Sequence, residues 1–241
     1  MSTENDRAQT TLQLFLAALF PPAGELIWNE NLLWQPIPYK YHSRTNDKIL
    51  NSCLQNEDFQ TTFIEHQHEI GIFEKYKEIF GLLSEKLGFR ITNLEVAWRF
   101  YLKLITQREY GLELPEWTKP IFPQPLEDLA IEYYTSQMMV RKLRTIAMTG
   151  LFTKIVLDTR NKLDSDGRHC PIKLHVYSAH ELNIAQMLIS TNSFSPPHMP
   201  KYCACIIFEI FMYEGEVYIR VLYKPDAYEK VKYLPLWGEN P

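Results

Sequence analysis

Apolar residues recur at helical spacing from about residue 56 to 163 and alternate in strand fashion from about residue 172 onward. This change of period narrows the accessible folds most, because a 3.6-residue stripe and a two-residue alternation cannot exchange structures. Phe73, Tyr76, Ile79, Phe80 and Leu83 form one helical stripe, and Leu94, Ala97, Trp98, Tyr101 and Ile105 form another. Gly88 and Thr92-Asn93 punctuate them, so at least three helical pieces are expected up to about residue 109. The stretch 111–125 is Pro-rich and irregular. A long amphipathic helix is predicted over 126–147 through Leu126, Leu129, Tyr133, Tyr134 and Met138, with another over about 150–163.

The polar run Asp164-Ser165-Asp166-Gly167-Arg168 reads as a loop. Beyond it, Ile172-Lys173-Leu174-His175-Val176-Tyr177 predicts a strand, nearly continuously apolar, as expected of one covered on both faces. Ser178-Ala179-His180-Glu181 then opens a helix to about residue 190. Residues 203–213 and 216–224 alternate around Glu214-Gly215, a hairpin signature. Near the start, Leu12, Phe15, Leu16, Leu19 and Phe20 predict a helix over 8–20, with Asp6 as its N-cap and Pro21-Pro22 as its stop. Two prolines and two tryptophans make 27–38 an extended packed segment. Helices in the middle and strands at the end point to an α/β protein with a helical insert.

With 46% apolar and 22% charged residues the chain has the composition of an ordinary globular protein. Its 25 Lys+Arg against 29 Asp+Glu, with no basic stripe, argue against a nucleic-acid partner. No apolar run approaches the length of a spanning helix. Met-Ser-Thr-Glu-Asn-Asp-Arg is a polar, acidic start unlike a secretory signal. Cys53, Cys170, Cys203 and Cys205 match no zinc spacing. They are expected as packed free thiols, Cys203 and Cys205 sharing one face of a strand. No Asn-x-Ser/Thr sequon occurs.

Chemistry concentrates where the strand feeds the helix. A strand end entering a helix N-terminus gathers backbone N–H groups and the positive end of the helix dipole, which suits an anion. There a histidine such as His180 can donate to a phosphate oxygen, and a carboxylic acid such as Glu181 can protonate a leaving alkoxide. His42, His66, His68, His169, His175 and His198 have no comparable setting, and no metal site is expected.

Val176-Tyr177-Ser178-Ala179-His180 resembles the strand and His-Asp motif of the histidine acid phosphatases. Pro200-Lys201-Tyr202-Cys203-Ala204-Cys205 followed by Phe208-Glu209 looks like that family's next core strand. The start is similar to the secretory and lysosomal branch: Ser2-Thr3 to Asp6-Arg7, Leu19-Phe20-Pro21-Pro22, and Leu33-Trp34-Gln35-Pro36-Ile37-Pro38. The likeness runs nearly end to end. It implies a three-layer α/β core formed by 1–38 and 126–241, with 39–125 as a mainly helical cap. It also implies phosphomonoester hydrolysis through a phosphohistidine, a small phosphomonoester or anion as ligand, no cofactor, a homodimer, and a secreted or lysosomal setting. Arg7 matches an arginine that binds the phosphate, His180 the second phosphate-contacting histidine, and Glu181 the position of the proton-donating aspartate. Glutamate there is a departure, since one extra methylene displaces the carboxyl.

The family's Arg-His-Gly-x-Arg-x-Pro motif, which supplies the nucleophile, does not occur in these 241 residues. The only Arg-His pair, Arg168-His169, lies in the polar loop. Cys53 and Cys205 fall at bridged positions of the family. Their partners would fall beyond Pro241 and near Gln107, so neither bridge is expected. The chain thus reads as a truncated family member, inactive or a partial product, with a catalytically dead anion-binding protein as the alternative.

Overall fold

The structure is a computed structural model and describes residues 1–53, 56–164 and 172–235. Helices α1 (Asp6–Leu19), α2 (Glu57–Glu69), α3 (Ile72–Lys75), α4 (Lys77–Leu87), α5 (Leu94–Glu109), α6 (Leu126–Met139), α7 (Arg141–Asp164) and α8 (Glu181–Ser190) precede strands β1 (Cys205–Tyr213), β2 (Glu216–Lys224) and β3 (Lys232–Leu234). This mixture of helix and strand is the α/β composition expected. Arg168, His169 and Cys170 lie outside the described residues, as does the chain beyond residue 235.

Local chemistry sets most of these boundaries. The Asn56 side chain accepts from Phe59 N–H at the start of α2, and Asn93 from Val96 N–H at the start of α5, satisfying donors that a helix N-terminus leaves orphaned. Gly88 ends α4 at φ 77, a left-handed conformation that glycine adopts without steric cost. The cap of α1 is Asn5 rather than Asp6, and its side chain makes no cap bond.

The predicted 126–147 helix breaks at Val140, whose backbone turns extended (φ −82, ψ 123). Its carbonyl then accepts from Arg144 N–H to start α7. α7 runs on through Gly150, which admits a close neighbour: a Cβ there would stand 1.9 Å from the Lys48 carbonyl oxygen. The turn that approaches it is built on Asp47, whose carboxylate accepts from Ile49 N–H, Leu50 N–H and the Asn51 side chain. Ser52 Oγ ties the same turn to the Ala147 carbonyl.

α6 lies at the centre, packed against α2, α5, α7 and α8. Leu126, Leu129, Ala130, Tyr133, Tyr134 and Met138 are all buried, so this helix is covered nearly all round. Trp98 of α5 stacks on Tyr133 at 4.6 Å between ring centroids, and its indole N–H donates to the Tyr134 hydroxyl at 3.0 Å. One hydrophobic cluster runs from Leu50 through these helices to Tyr223 of β2.

The hairpin forms as expected, β1 and β2 pairing antiparallel from Cys205↔Lys224 to Tyr213↔Glu216. Glu214 and Gly215 both have positive φ (50 and 83), the geometry that matches strand twist in a two-residue turn. β3 adds on the far side of β2. Cys203 precedes β1, exposed and left-handed at φ 63, so the expected shared strand face with Cys205 does not form. The 172–177 stretch departs from expectation too. It forms no strand, and Ile172 and Leu174 are half exposed. Only its end pairs, with the first three residues of the chain, so one short neighbour replaces the two-sided cover that a parallel strand needs.

Candidate functional site

The chain's first residues thread between two other segments. Ser2 forms parallel bridges to both Tyr41 and Ser178. Ser2 N–H donates to the Lys40 carbonyl at 2.9 Å, Thr3 N–H to Ser178 at 3.1 Å, and Ser178 N–H to Met1 at 2.9 Å. The Ser178 hydroxyl donates to the Ala8 carbonyl at 2.7 Å, fixing the first turn of α1 over the entrance to α8. Arg7 is in that turn. A cation near a helix N-terminus opposes the macrodipole, so helix stability does not explain its presence.

Residues 7 and 180 thereby meet. Arg7 Nη2 stands 3.4 Å from His180 Nδ1, and Thr3 Oγ1 stands 3.1 Å from the other ring nitrogen. His180 is the N-cap of α8, and its N–H donates to Asn183 Oδ1 at 3.1 Å. The Asn183 amide donates in turn to the Leu50 carbonyl at 2.9 Å, so the Asp47 turn braces the helix entrance. Burial, and then the charges of Arg7 and Arg44, push the His180 imidazole down to about 4, with Asp47 opposing them. At neutral pH the ring is therefore uncharged. Glu181 shifts the other way: burial raises its carboxyl above the ordinary glutamate range, although its own backbone N–H and Arg7 oppose this. The same carboxyl acts on the buried Tyr134 hydroxyl.

Arg44 joins this group, since its backbone N–H donates to Glu4 Oε2 at 2.7 Å. Among the described residues no carboxylate lies within ion-pair distance of the Arg7 or Arg44 guanidinium. Two cations with no carboxylate in ion-pair contact among the described residues, a neutral histidine and a helix N-terminus thus share one exposed edge, a chemistry suited to an oxyanion. The structure brings together Arg7, His180 and Glu181, the three residues that the sequence singles out. The sequence does not single out Thr3, Arg44, Asp47 and Asn183, whose contacts with the site depend on how distant segments cross.

Other polar groups serve elsewhere. His175 and Tyr177 both contact Asp158 of α7, at 3.2 and 2.5 Å. His198 hydrogen-bonds the Tyr223 hydroxyl at 2.9 Å. Among the described residues no cluster has the donor set of a metal site, and no helix is long and apolar enough to cross a membrane. Cys53, Cys203 and Cys205 are all free thiols, and burial raises Cys53 to about 11.

No family model matches the chain. It is 34% identical over 229 residues to a venom acid phosphatase of Apis mellifera, covering 92% of the chain and 58% of that protein. It is 28% identical to a lysosomal acid phosphatase of Homo sapiens, covering 91% of the chain and 54% of that protein. It is also 25% identical to a prostatic acid phosphatase of Mus musculus, covering 98% of the chain and 63% of that protein. The chain therefore spans a little over half the length of the curated relatives it matches.

Proposed function

We propose, from these likenesses to acid phosphatases, that the chain is an acid phosphatase-like member of the histidine acid phosphatase family. Its Arg7–His180 edge holds the phosphoryl group of a small phosphomonoester, and Glu181 stands as the proton donor. The observation that carries this reading is the meeting of Arg7 with His180 at the N-terminus of α8, 3.4 Å apart across 173 residues of sequence. Arginine can grip two phosphoryl oxygens at once, and the helix end adds the positive end of its dipole. A buried carboxyl whose hold on its proton is raised by burial can give that proton to a leaving alkoxide. Within this reading 39–125 is the cap, and 1–38 with 126–241 the catalytic layer.

These 241 residues contain no Arg-His-Gly. We therefore propose that the chain alone binds phosphomonoesters without turning them over. Without a nucleophile there is no attacking group for a covalent intermediate, and positioning residues alone retain little rate. Hydrolysis of an aryl phosphate at acid pH tests this. The chain should match its Arg7→Ala, His180→Ala double variant, and saturable turnover lost in that variant would refute inactivity. Binding is tested separately, because vanadate or phosphate should raise the melting temperature of the wild type and not that of Arg7→Ala.

A further inference from the structure

We propose that Thr3 is a positioning residue of this site: its hydroxyl accepts the Nε2–H of His180, leaving Nδ1 as the nitrogen that takes up a proton when an anion enters beside Arg7. The inference deepens the anion-site reading above and rests on it.

The geometry assigns the tautomer. A guanidinium offers only N–H donors, so the 3.4 Å approach of Arg7 Nη2 requires a lone pair on Nδ1. The neutral ring then carries its proton on Nε2, which faces Thr3 Oγ1 at 3.1 Å. Thr3 is only 1% exposed and its backbone is anchored to Ser178, so neither water nor another rotamer readily replaces this acceptor. Charged groups surround the ring from each packed segment: Arg7 from α1, Arg44 and Asp47 from the 40–50 segment, and Glu181 from α8. Empty, the site is dominated by its two arginines, and the ring stays neutral.

An anion entering between Arg7 and His180 takes over the guanidinium N–H groups and reverses the local sign. Negative charge beside Nδ1 favours the imidazolium. That ion donates twice, from Nδ1 to the anion and from Nε2 to Thr3, and the proton comes from solvent. Remove the hydroxyl and, beside a bound anion, the neutral ring can move its one proton to Nδ1, whereas the imidazolium must keep an Nε2–H with no acceptor, which penalises the charged form selectively.

Imidazole nitrogen NMR of the full chain, labelled with ¹⁵N-histidine and assigned through His180→Gln, tests this with sulfate, whose charge is constant over the range used. Without sulfate the wild-type ring should be protonated on Nε2 and bare on Nδ1. Saturating sulfate should move its titration midpoint up by about one pH unit or more. In Thr3→Val, which preserves side-chain volume, the midpoint with sulfate should fall by about one unit, roughly a tenfold loss in proton affinity, and Thr3→Ser should restore it. A wild-type spectrum unmoved by sulfate overturns the anion site and the proton uptake with it. A sulfate response with the free ring protonated on Nδ1, or an unchanged midpoint in Thr3→Val, overturns the role of Thr3 alone. The free-ring tautomer needs no variant, so a failure of Thr3→Val to fold leaves that test in place.

Discussion

His180 and Glu181, neighbours in sequence, are displaced in opposite directions, and their stability effects oppose each other with pH. The His180 ring is held at about 4 against 6.5. The unfolded state therefore binds more protons between those values, and stability falls as pH drops through that window. The displacement corresponds to about 3 kcal/mol, present above pH 6.5 and lost by about pH 4. Glu181 has a raised carboxyl, so the folded state binds the extra proton and stability falls as pH climbs past 4.5. Thermal melts should show Glu181→Gln matching wild type at pH 4 and exceeding it at pH 7. His180→Gln should instead lose ground to wild type as pH rises from 4 to 7. Tyr134→Phe should cost about 1–3 kcal/mol in urea titrations, because the buried Trp98 indole N–H loses its acceptor. Arg7, His180 and Glu181 were legible in the sequence because flanking strings resemble a family. Thr3 and Arg44 were not, since nothing local to either residue indicates a partner near position 180.

Among the elements, the hairpin and the start of α8 could be read in advance because their signals are local: Glu214-Gly215 between two alternating runs, and Ser178-Ala179-His180-Glu181 where helical spacing begins. The α6–α7 break could not. Apolar spacing continues through 138–148, and only the extended backbone at Val140 divides it, so a tertiary demand overrides periodicity. The glycine at position 150 inside α7 also answers to a distant segment, because the Lys48 carbonyl takes the space of a side chain there. In an exposed helix Gly→Ala usually stabilises by about 1 kcal/mol. Gly150→Ala should do the reverse, lowering stability by about 2 kcal/mol or more, because the added methyl meets backbone. Chemical denaturation of this single variant decides between the two. The strand predicted at 172–177 failed for a related reason: an apolar run states a preference for burial, but neighbours decide whether a ladder forms.

Across the whole molecule, order should follow the hydrogen-bond pattern. Among the described residues, the backbone groups of 172–175 and 177 have no backbone partners, whereas α5 is internally bonded and buries Leu94, Ala97, Trp98, Tyr101 and Leu104. Amide exchange should therefore be fast over 172–177 and slow in the middle of α5, and slow exchange at both would show that the edge is covered in solution. Leu14, Phe15 and Leu19 of α1 and Phe20 just after it are also solvent-exposed. The central position of α6 has a consequence for synthesis. α2 and α5 are made first, yet the apolar faces of both close on a helix whose last turn ends at Met139. A ribosome-bound chain released only as far as α5 carries those faces open to chaperones, and their burial is timed by the arrival of α6 rather than by their own completion.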